Sequence, residues 1–319
     1  MNQTEKSRIP ADVPQEMRKT YEGNFRAITH ETGRLMLFAG DQKIEHLNDD
    51  YFGESKEGKI SPEDNDPEHL FRIASRATIG CFATQYGLIS HYGKDYPGIN
   101  YLVKMNSKSH LVKTAQRDPE SKSLIDIDDV LALKKSSGLK IAAVGYTVYL
   151  GSEFEAENLS EAGRLVASAH RNGLIVVIWC YPRGKAVANE TDPHLIAGAT
   201  GTIACLGADF VKVSFPKVPI GAPEGADPYE AFKEAVVAAG RCRVICAGGG
   251  STAPEKFFEN LHKQIHVSGA MGNATGRNVH QKPLEEAIRF CNGISAITIG
   301  GKDAQFAMRV YEGKEEFKA

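Results

Sequence analysis

The chain has 319 residues, yet no apolar run in it reaches the ~18–20 residues that a membrane-spanning helix needs. The opening stretch, Met1 to Gln15, lacks the apolar core of a secretory signal, so a cytoplasmic protein is expected. Asn-x-Ser/Thr matches at Asn2, Asn158, Asn189 and Asn273 are accordingly read as chance. A strong charge of one sign is also missing. The 38 Lys and Arg residues nearly balance 40 Asp and Glu residues, for a formal net charge of -2. So weak a field gives neither nucleic acid nor an anionic membrane surface a reason to bind. None of the 6 cysteines forms a C-x-x-C pair. Most of them lie in apolar segments, where a free thiol behaves as a small buried hydrophobe. Reduced thiols are expected, not a disulfide framework. Cys242 and Cys246 share one apolar run, and no second pair follows at zinc-finger spacing. No linker or low-complexity tract divides the chain, and the P-loop spacing G-x-x-x-x-G-K-[ST] does not occur.

What is present is an ordinary globular composition, 42% hydrophobic and 24% charged, sufficient for a sizeable core. Short apolar runs alternate with longer segments of helical pattern. The runs are 34–42, 80–85, 100–106, 139–149, 174–184, 208–216, 243–250 and 264–278. Helical candidates lie between them, at 160–173, 227–240 and 253–264, with a last one opening at Pro283. The polar stretch 53–69 reads as a long surface loop. It ends in Asp66-Pro67-Glu68, a cap, a proline and an acid that together open a helix.

Continuous apolar strands separated by helices imply a parallel sheet covered on both sides. Eight such units imply an α/β fold of the (β/α)8 TIM-barrel type, with a doubly wound open sheet as the rival. The barrel is assigned to residues 34–319 as a single catalytic domain. Residues 1–33 form an N-terminal extension, helical and packed against the barrel's outside or at a subunit contact.

A barrel of this kind places its chemistry at the C-terminal ends of the strands, so polar residues should gather where each apolar run stops. They do. Run one ends in Asp41-Gln42-Lys43, with His46 nearby; run three carries Lys104 and Asn106; run five ends in Tyr181-Pro182-Arg183. Run six carries Lys212 and Ser214, and runs seven and eight end in Gly248-Gly249-Gly250-Ser251-Thr252 and Gly272 to Arg277. Two glycine-rich loops on neighbouring strands, one leading into a helix near Pro254, suit an anion. Glycines let backbone N–H groups approach it, and the helix terminus adds a favourable dipole. Arg277 adds a candidate bidentate phosphate contact.

Lys212 sits in the run Phe210-Val211-Lys212-Val213, where a strand has little reason to carry an ammonium group. Burial would lower its pKa and leave a nucleophilic amine able to form an imine with a carbonyl. A structural ion pair is the equal alternative. Lys104 is a second candidate of the same kind, or an electrostatic partner that depresses the pKa of Lys212. Tyr181, which follows Trp179, could transfer a proton or simply pack at the rim. Asp41 could polarise a substrate hydroxyl or orient a lysine. It has no second carboxylate at metal-ligand spacing, so no metal is expected. His46, His91, His110, His266 and His280 are scattered, and most are read as surface or packing residues.

These pieces resemble the archaeal-type class I fructose-1,6-bisphosphate aldolases, grouped with the DhnA-type aldolases. The segments that carry the resemblance are FAGDQKIEHLNDD, LVKMN, AVGYTVYLGS, WCYPRG, GADFVKVSFP, CAGGGST and GNATGRNVHQKP, which fall in order from about residue 35 to residue 283. The resemblance implies a (β/α)8 barrel, metal-independent aldol cleavage through a lysine imine, no cofactor, a phosphorylated sugar as substrate and a homo-oligomer. Lys212 then takes the Schiff-base position, Tyr181 transfers protons with Trp179 beside it, and Asp41 lines the site. Gly249, Gly250, Ser251, Gly276 and Arg277 hold the phosphate next to the ketone, and Arg183 the far phosphate. The first motif of relatives often reads D-x-G-x-E-H; here Lys43 replaces the glycine, which leaves its role open. Two rival readings remain. One is a related imine-forming aldolase or transaldolase, similar to 2-amino-3,7-dideoxy-heptulosonate synthase or to enzymes of signalling-molecule phosphates. The other is a non-catalytic phosphosugar-binding barrel.

Overall fold

The structure is a computed structural model that describes residues 9–46, 48–109, 118–217 and 225–319. Its strands follow the apolar runs: β1 Leu35–Ala39, β2 Cys81–Gln85, β3 Tyr101–Lys104, β4 Ile141–Leu150, β5 Ile175–Pro182, β6 Phe210–Val213, β7 Arg243–Ala247 and β8 Gly272–Thr275. All neighbours pair in parallel, and β8 closes onto β1 to complete the barrel. Helices follow the strands, among them Glu68–Arg76, Glu155–Arg171, Pro193–Leu206, Pro228–Ala239, Pro254–His266 and Leu284–Thr298. Several begin at caps legible in the sequence. Asp192 accepts from the backbone N–H groups of His194 and Leu195 ahead of Pro193, and Asp227 does the same for Tyr229.

Strand alternation divides the core. Phe38, Val176, Ile178, Val211 and Val213 point outward into the layer packed under the helices. Leu37, Ala83, Leu102, Val177, Phe210 and Ile245 fill the barrel interior. Lys212 therefore points inward between two outward valines, as the period of two requires. Run eight is the one misread stretch. Gln264 to His266 complete the preceding helix, because Ile265 lies on its buried face, and the strand begins only at Gly272.

The N-terminal segment is helical over Arg18–Thr29 (α1), but it does not pack on the barrel's outer wall. It closes the end of the barrel where the strands begin. Phe25 stacks on Phe210 at 5.9 Å, and Asn24 donates to the Gly173 carbonyl at 2.7 Å. Tyr21 donates to Asp209. Asp209 also accepts from the Val176 N–H and lies 3.2 Å from His170 Nε2, while His170 Nδ1 meets Asp12 at 2.9 Å. Burial would lower the pKa of His170, but hydrogen bonds and charge from Asp209 and Asp12 outweigh it and raise the value to about 9. The apolar face of α1 and this network tie the segment under the barrel.

The stretch 53–69 is only partly a surface loop. Its hairpin, Glu54–Ser55 against Gly58–Lys59, is mostly exposed, but Ile60, Ser61, Asp64 and His69 are buried. Asp64 pairs with His280 at 2.7 Å with neither side chain exposed, and the His280 ring stacks on Tyr51 at 4.8 Å. The loop folds inward because this buried pair holds it beneath the helix that follows β8. His280 is thus a packing residue, whereas His91 and His266 are exposed and His110 lies outside the described residues.

Candidate active site

A cleft of about 200 Å³ opens among the C-terminal ends of the strands. Asp41, Trp179, Tyr181, Arg183, Lys212, Gly249, Gly276 and Arg277 all line it, which brings together most of the residues singled out from the sequence. Trp179 on β5 and Lys212 on β6 are directly paired in register, and Tyr181 lies two residues nearer the mouth. The indole fits because its neighbour strand carries Gly145: a Cβ there would lie 2.5 Å from Trp179 Cζ3.

The two interior lysines differ in one decisive respect. Lys104 is fully tied. Its Nζ donates to the Asn106 carbonyl at 2.8 Å and to Asn106 Oδ1 at 3.1 Å, and lies 3.8 Å from the Glu45 carboxylate. Asn106 is itself held, donating to the Ser121 and Thr147 carbonyls. Lys212 is 4% exposed, and among the described residues its Nζ has neither a hydrogen bond nor a carboxylate at ion-pair distance. Its contact is the Trp179 ring, 5.0 Å away. Burial lowers the pKa of Lys212, Lys104 and Arg277 lower it further, and Asp41 and Glu45 oppose them. The ion-pair alternative for Lys212 is therefore removed. Lys104 is the paired lysine, set back from the cleft wall and acting on Lys212 through its charge.

Asp41 lies two residues past the end of β1 and is 2% exposed; among the described residues its Oδ1 has no partner. The Gln85 side chain fixes its backbone by donating to the Asp41 carbonyl at 2.7 Å. Contrary to the sequence expectation, Asp41 does have a companion carboxylate. Glu45 closes the short helix Gln42–Glu45, one turn on, and also lines the cleft. Its position in D-Q-K-I-E was the available signal, since residues four apart share a helix face. No group of three His, Cys, Asp or Glu side chains converges among the described residues. Burial, then the charges of Asp41 and Glu45, push the Tyr181 hydroxyl far above the usual tyrosine range, so it stays protonated and acts as a donor.

The glycine loops after β7 and β8 face each other. A Cβ on Gly276 would collide with Gln42 Oε1 and lie 2.6 Å from the Ala39 carbonyl, so only glycine brings the β8 loop this close to β1. Asn278, which the sequence reading missed, joins the two loops. Its Nδ2 donates to the Gly248 and Gly250 carbonyls at 3.1 and 2.9 Å, and its Oδ1 accepts from the Thr252 N–H. Arg277 leans on the Gly249 carbonyl and the Asp50 carboxylate, each at 3.5 Å, and its Nε has no partner among the described residues. Gly250 and Ser251 stand back from the cleft wall, and the Ser251 hydroxyl donates to Gln281 at 2.9 Å. Arg183 lines the cleft with its guanidinium forked onto Glu190 at 2.9 and 2.8 Å. Lys43 turns away from the mouth. It donates to the Asn65 carbonyl at 3.1 Å and lies 4.1 Å from the Tyr51 ring, so it clips the 48–65 segment in place. His46, Tyr149 and Ser214 are further wall residues that the sequence reading did not assign to the site.

Comparison with known proteins agrees with this arrangement. Residues 35–282 match the model of the DeoC/LacD family aldolases. A curated protein of Methanocaldococcus jannaschii, named fructose-bisphosphate aldolase/6-deoxy-5-ketofructose 1-phosphate synthase, is 57% identical over 96% of this chain and 94% of its own length. The solved fructose-bisphosphate aldolase of Slackia heliotrinireducens superposes with a TM-score of 0.94 at 51% identity, covering 100% of this chain and 98% of that one. An archaeal fructose-1,6-bisphosphate aldolase, solved with its catalytic lysine covalently bound to the carbinolamine intermediate, superposes with a TM-score of 0.73 at 29% identity, covering 88% and 100%. The closed barrel, its lysine-bearing sixth strand and its strand-end cleft are those of an aldolase, and this chain belongs to the DeoC/LacD aldolase family.

Proposed function

We propose that this chain is a class I fructose-bisphosphate aldolase, a lyase that cleaves fructose 1,6-bisphosphate reversibly through an imine on Lys212. The observation that carries the reading is the buried Lys212, without an ion pair among the described residues, beside two glycine loops and an arginine, within a chain so similar to aldolases of that name. The lowered pKa of Lys212 favours the nucleophilic amine over the ammonium. The amine attacks C2 of the open-chain ketose, and loss of water leaves an iminium. A base removes the C4 hydroxyl proton, the C3–C4 bond breaks, and its electron pair flows into the iminium to give an enamine. Glyceraldehyde 3-phosphate departs. The enamine is protonated at C3, and water releases dihydroxyacetone phosphate and the free amine. In this reading Tyr181, protonated and two residues above Trp179, passes protons at C3 or C4, and Asp41 orients the substrate. The Gly249, Gly276 and Arg277 surfaces suit the phosphate nearer the ketone, with Gly250 and Ser251 behind them; Arg183 suits the far phosphate. Borohydride reduction in the presence of fructose 1,6-bisphosphate should add the mass of the reduced sugar to a peptide containing Lys212. An unmodified peptide with full turnover would sink the assignment.

A second reading follows from the other name of the M. jannaschii relative, 6-deoxy-5-ketofructose 1-phosphate synthase. Such a product is a ketose 1-phosphate with a carbonyl at C5 and a methyl at C6. It needs the same three-carbon phosphate on the lysine and a different aldehyde acceptor. A panel of acceptors decides how far this chain shares that reaction. A cytoplasmic location fits the free state of all the cysteines. No helix among the described residues is long and apolar enough to cross a membrane.

A further inference from the structure

The cleft holds a second tyrosine that neither the lysine chemistry nor phosphate binding uses. Tyr149 is the penultimate residue of β4, is 2% exposed, and lies directly across from Tyr181 in the β4–β5 register. The ring centroids are 6.4 Å apart with planes inclined by 32°. The Arg183 guanidinium covers both rings, at 5.7 Å from Tyr149 and 5.6 Å from Tyr181, and is itself held by Glu190. Lys108 Nζ lies 5.5 Å from the Tyr149 ring. The ring is thus fixed, while its hydroxyl has no hydrogen-bond partner among the described residues and belongs to the cleft wall. Burial, then the charge of Glu45, keeps that hydroxyl protonated, so at neutral pH it is a donor that lacks an acceptor.

The order of strands says which part of a substrate meets it. The glycine loops follow β7 and β8, on one side of the β6 strand that carries Lys212; β5 and β4 lie on the other. A ketose with its near phosphate in the glycine loops and C2 on Lys212 meets β5 and then β4 when its remaining carbons follow the wall of the cleft lined by Tyr181, Arg183 and Tyr149. Tyr181 is reached first, beside the bond that breaks, and Tyr149 next.

We infer that Tyr149 is a specificity-determining residue for the aldehyde half of the substrate, its hydroxyl donating to the oxygen on the carbon next to the aldehyde carbonyl. A hydroxyl or a ketone oxygen would satisfy it equally, and an aldehyde with no oxygen there would leave it unpaired. This inference rests on the aldolase reading above. A site built to hydrogen-bond an oxygen rejects the analogue lacking it far more strongly than an apolar pocket could.

The test separates the two halves of the reaction, using the full-length enzyme and Tyr149→Phe. The donor half is read by borohydride trapping with dihydroxyacetone phosphate and by exchange of its C3 proton with solvent. Both should stay within about twofold of wild type, because neither involves the aldehyde. The acceptor half is read as the kcat/KM ratio for addition to glyceraldehyde against propanal. Wild type should prefer glyceraldehyde, and the variant should lose about tenfold or more of that preference. A ratio unchanged by the substitution overturns the inference, as does a parallel fall in trapping, exchange and addition, which marks a purely structural tyrosine. The wild-type ratio decides even if the variant does not fold, since a value near one leaves Tyr149 nothing to discriminate. If wild type fails to trap dihydroxyacetone phosphate at all, the aldolase reading has failed first, and that result is distinct.

Discussion

Lys104 and Lys212 share one indole and differ in their partners: their Nζ atoms lie 5.4 and 5.0 Å from the Trp179 ring, yet among the described residues only Lys104 has hydrogen bonds and a carboxylate. A buried ammonium with partners is a stable cation, and one without them is pressed toward the neutral amine. On the mechanism proposed above, Lys104 is the held partner and Lys212 the nucleophile.

Lys212→Met should abolish borohydride trapping and cleavage while raising stability. The folded-state pKa of Lys212 lies below its unfolded value, so the unfolded chain binds the extra proton between the two. Stability from this group accordingly rises with pH through that window. The methionine variant should gain about 0.5–2 kcal/mol near pH 7. That advantage should shrink as pH climbs toward ~10.4, the ordinary lysine value. Thermal melts of both proteins across this range check the sign; a variant less stable at neutral pH would contradict the assignment.

Lys104→Met removes a like charge from beside Lys212 and leaves Glu45 unpaired. Both changes raise the Lys212 pKa, so the acid limb of the kcat/KM–pH profile should move to higher pH. Glu45→Gln should move it the other way. The two profiles, measured side by side, form an internal control, since a general loss of fold would shift neither limb.

His170→Gln should loosen α1. The His170 pKa is raised above its ordinary value to about 9, so its contribution is fully present below pH ~6.5 and is lost as pH rises through about 9. The stability difference between wild type and variant should be on the order of 3 kcal/mol at pH 6 and should close by pH 10. Denaturant unfolding at several pH values measures it.

Arg277→Ala should raise KM for phosphorylated ketoses about ten- to a hundredfold while leaving imine formation with an unphosphorylated ketone intact. Gly276→Ala should be worse than its size suggests, because the added carbon meets Gln42 and the Ala39 carbonyl and pushes β1 and its Asp41 away from the cleft. Steady-state kinetics with matched phosphorylated and unphosphorylated substrates separate the two effects.

Much of this site could be read along the chain. Strands buried on both faces keep a period of two, so the inward direction of Lys212 followed from its valine neighbours. The glycine loops were visible because backbone that approaches an anion tolerates no side chain. What stayed hidden depended on partners distant in sequence. Glu45 was given no role from the sequence, and its pairing with Lys104 at 3.8 Å depends on a residue from another strand. Asn278 gave no sign that it would tie the loop after β8 to Gly248 and Gly250 of the loop after β7. Asp64, in a polar stretch, turned out to be buried against His280.

Periodicity and turn chemistry are local, and they sufficed for the eight-strand barrel, for part of its helices and for the end of the barrel where polar residues gather. Whether a buried lysine is paired is not local. It depends on which side chains from other strands reach its nitrogen once the barrel closes. Tertiary structure alone settled that Lys104 meets Glu45 and Asn106 while Lys212, among the described residues, has a cation–ring contact with Trp179 and no hydrogen bond or ion pair. It also settled that α1 closes the barrel's end instead of flanking its wall, because the apolar face of Tyr21, Phe25 and Ile28 finds its complement in strand beginnings that no single segment contains.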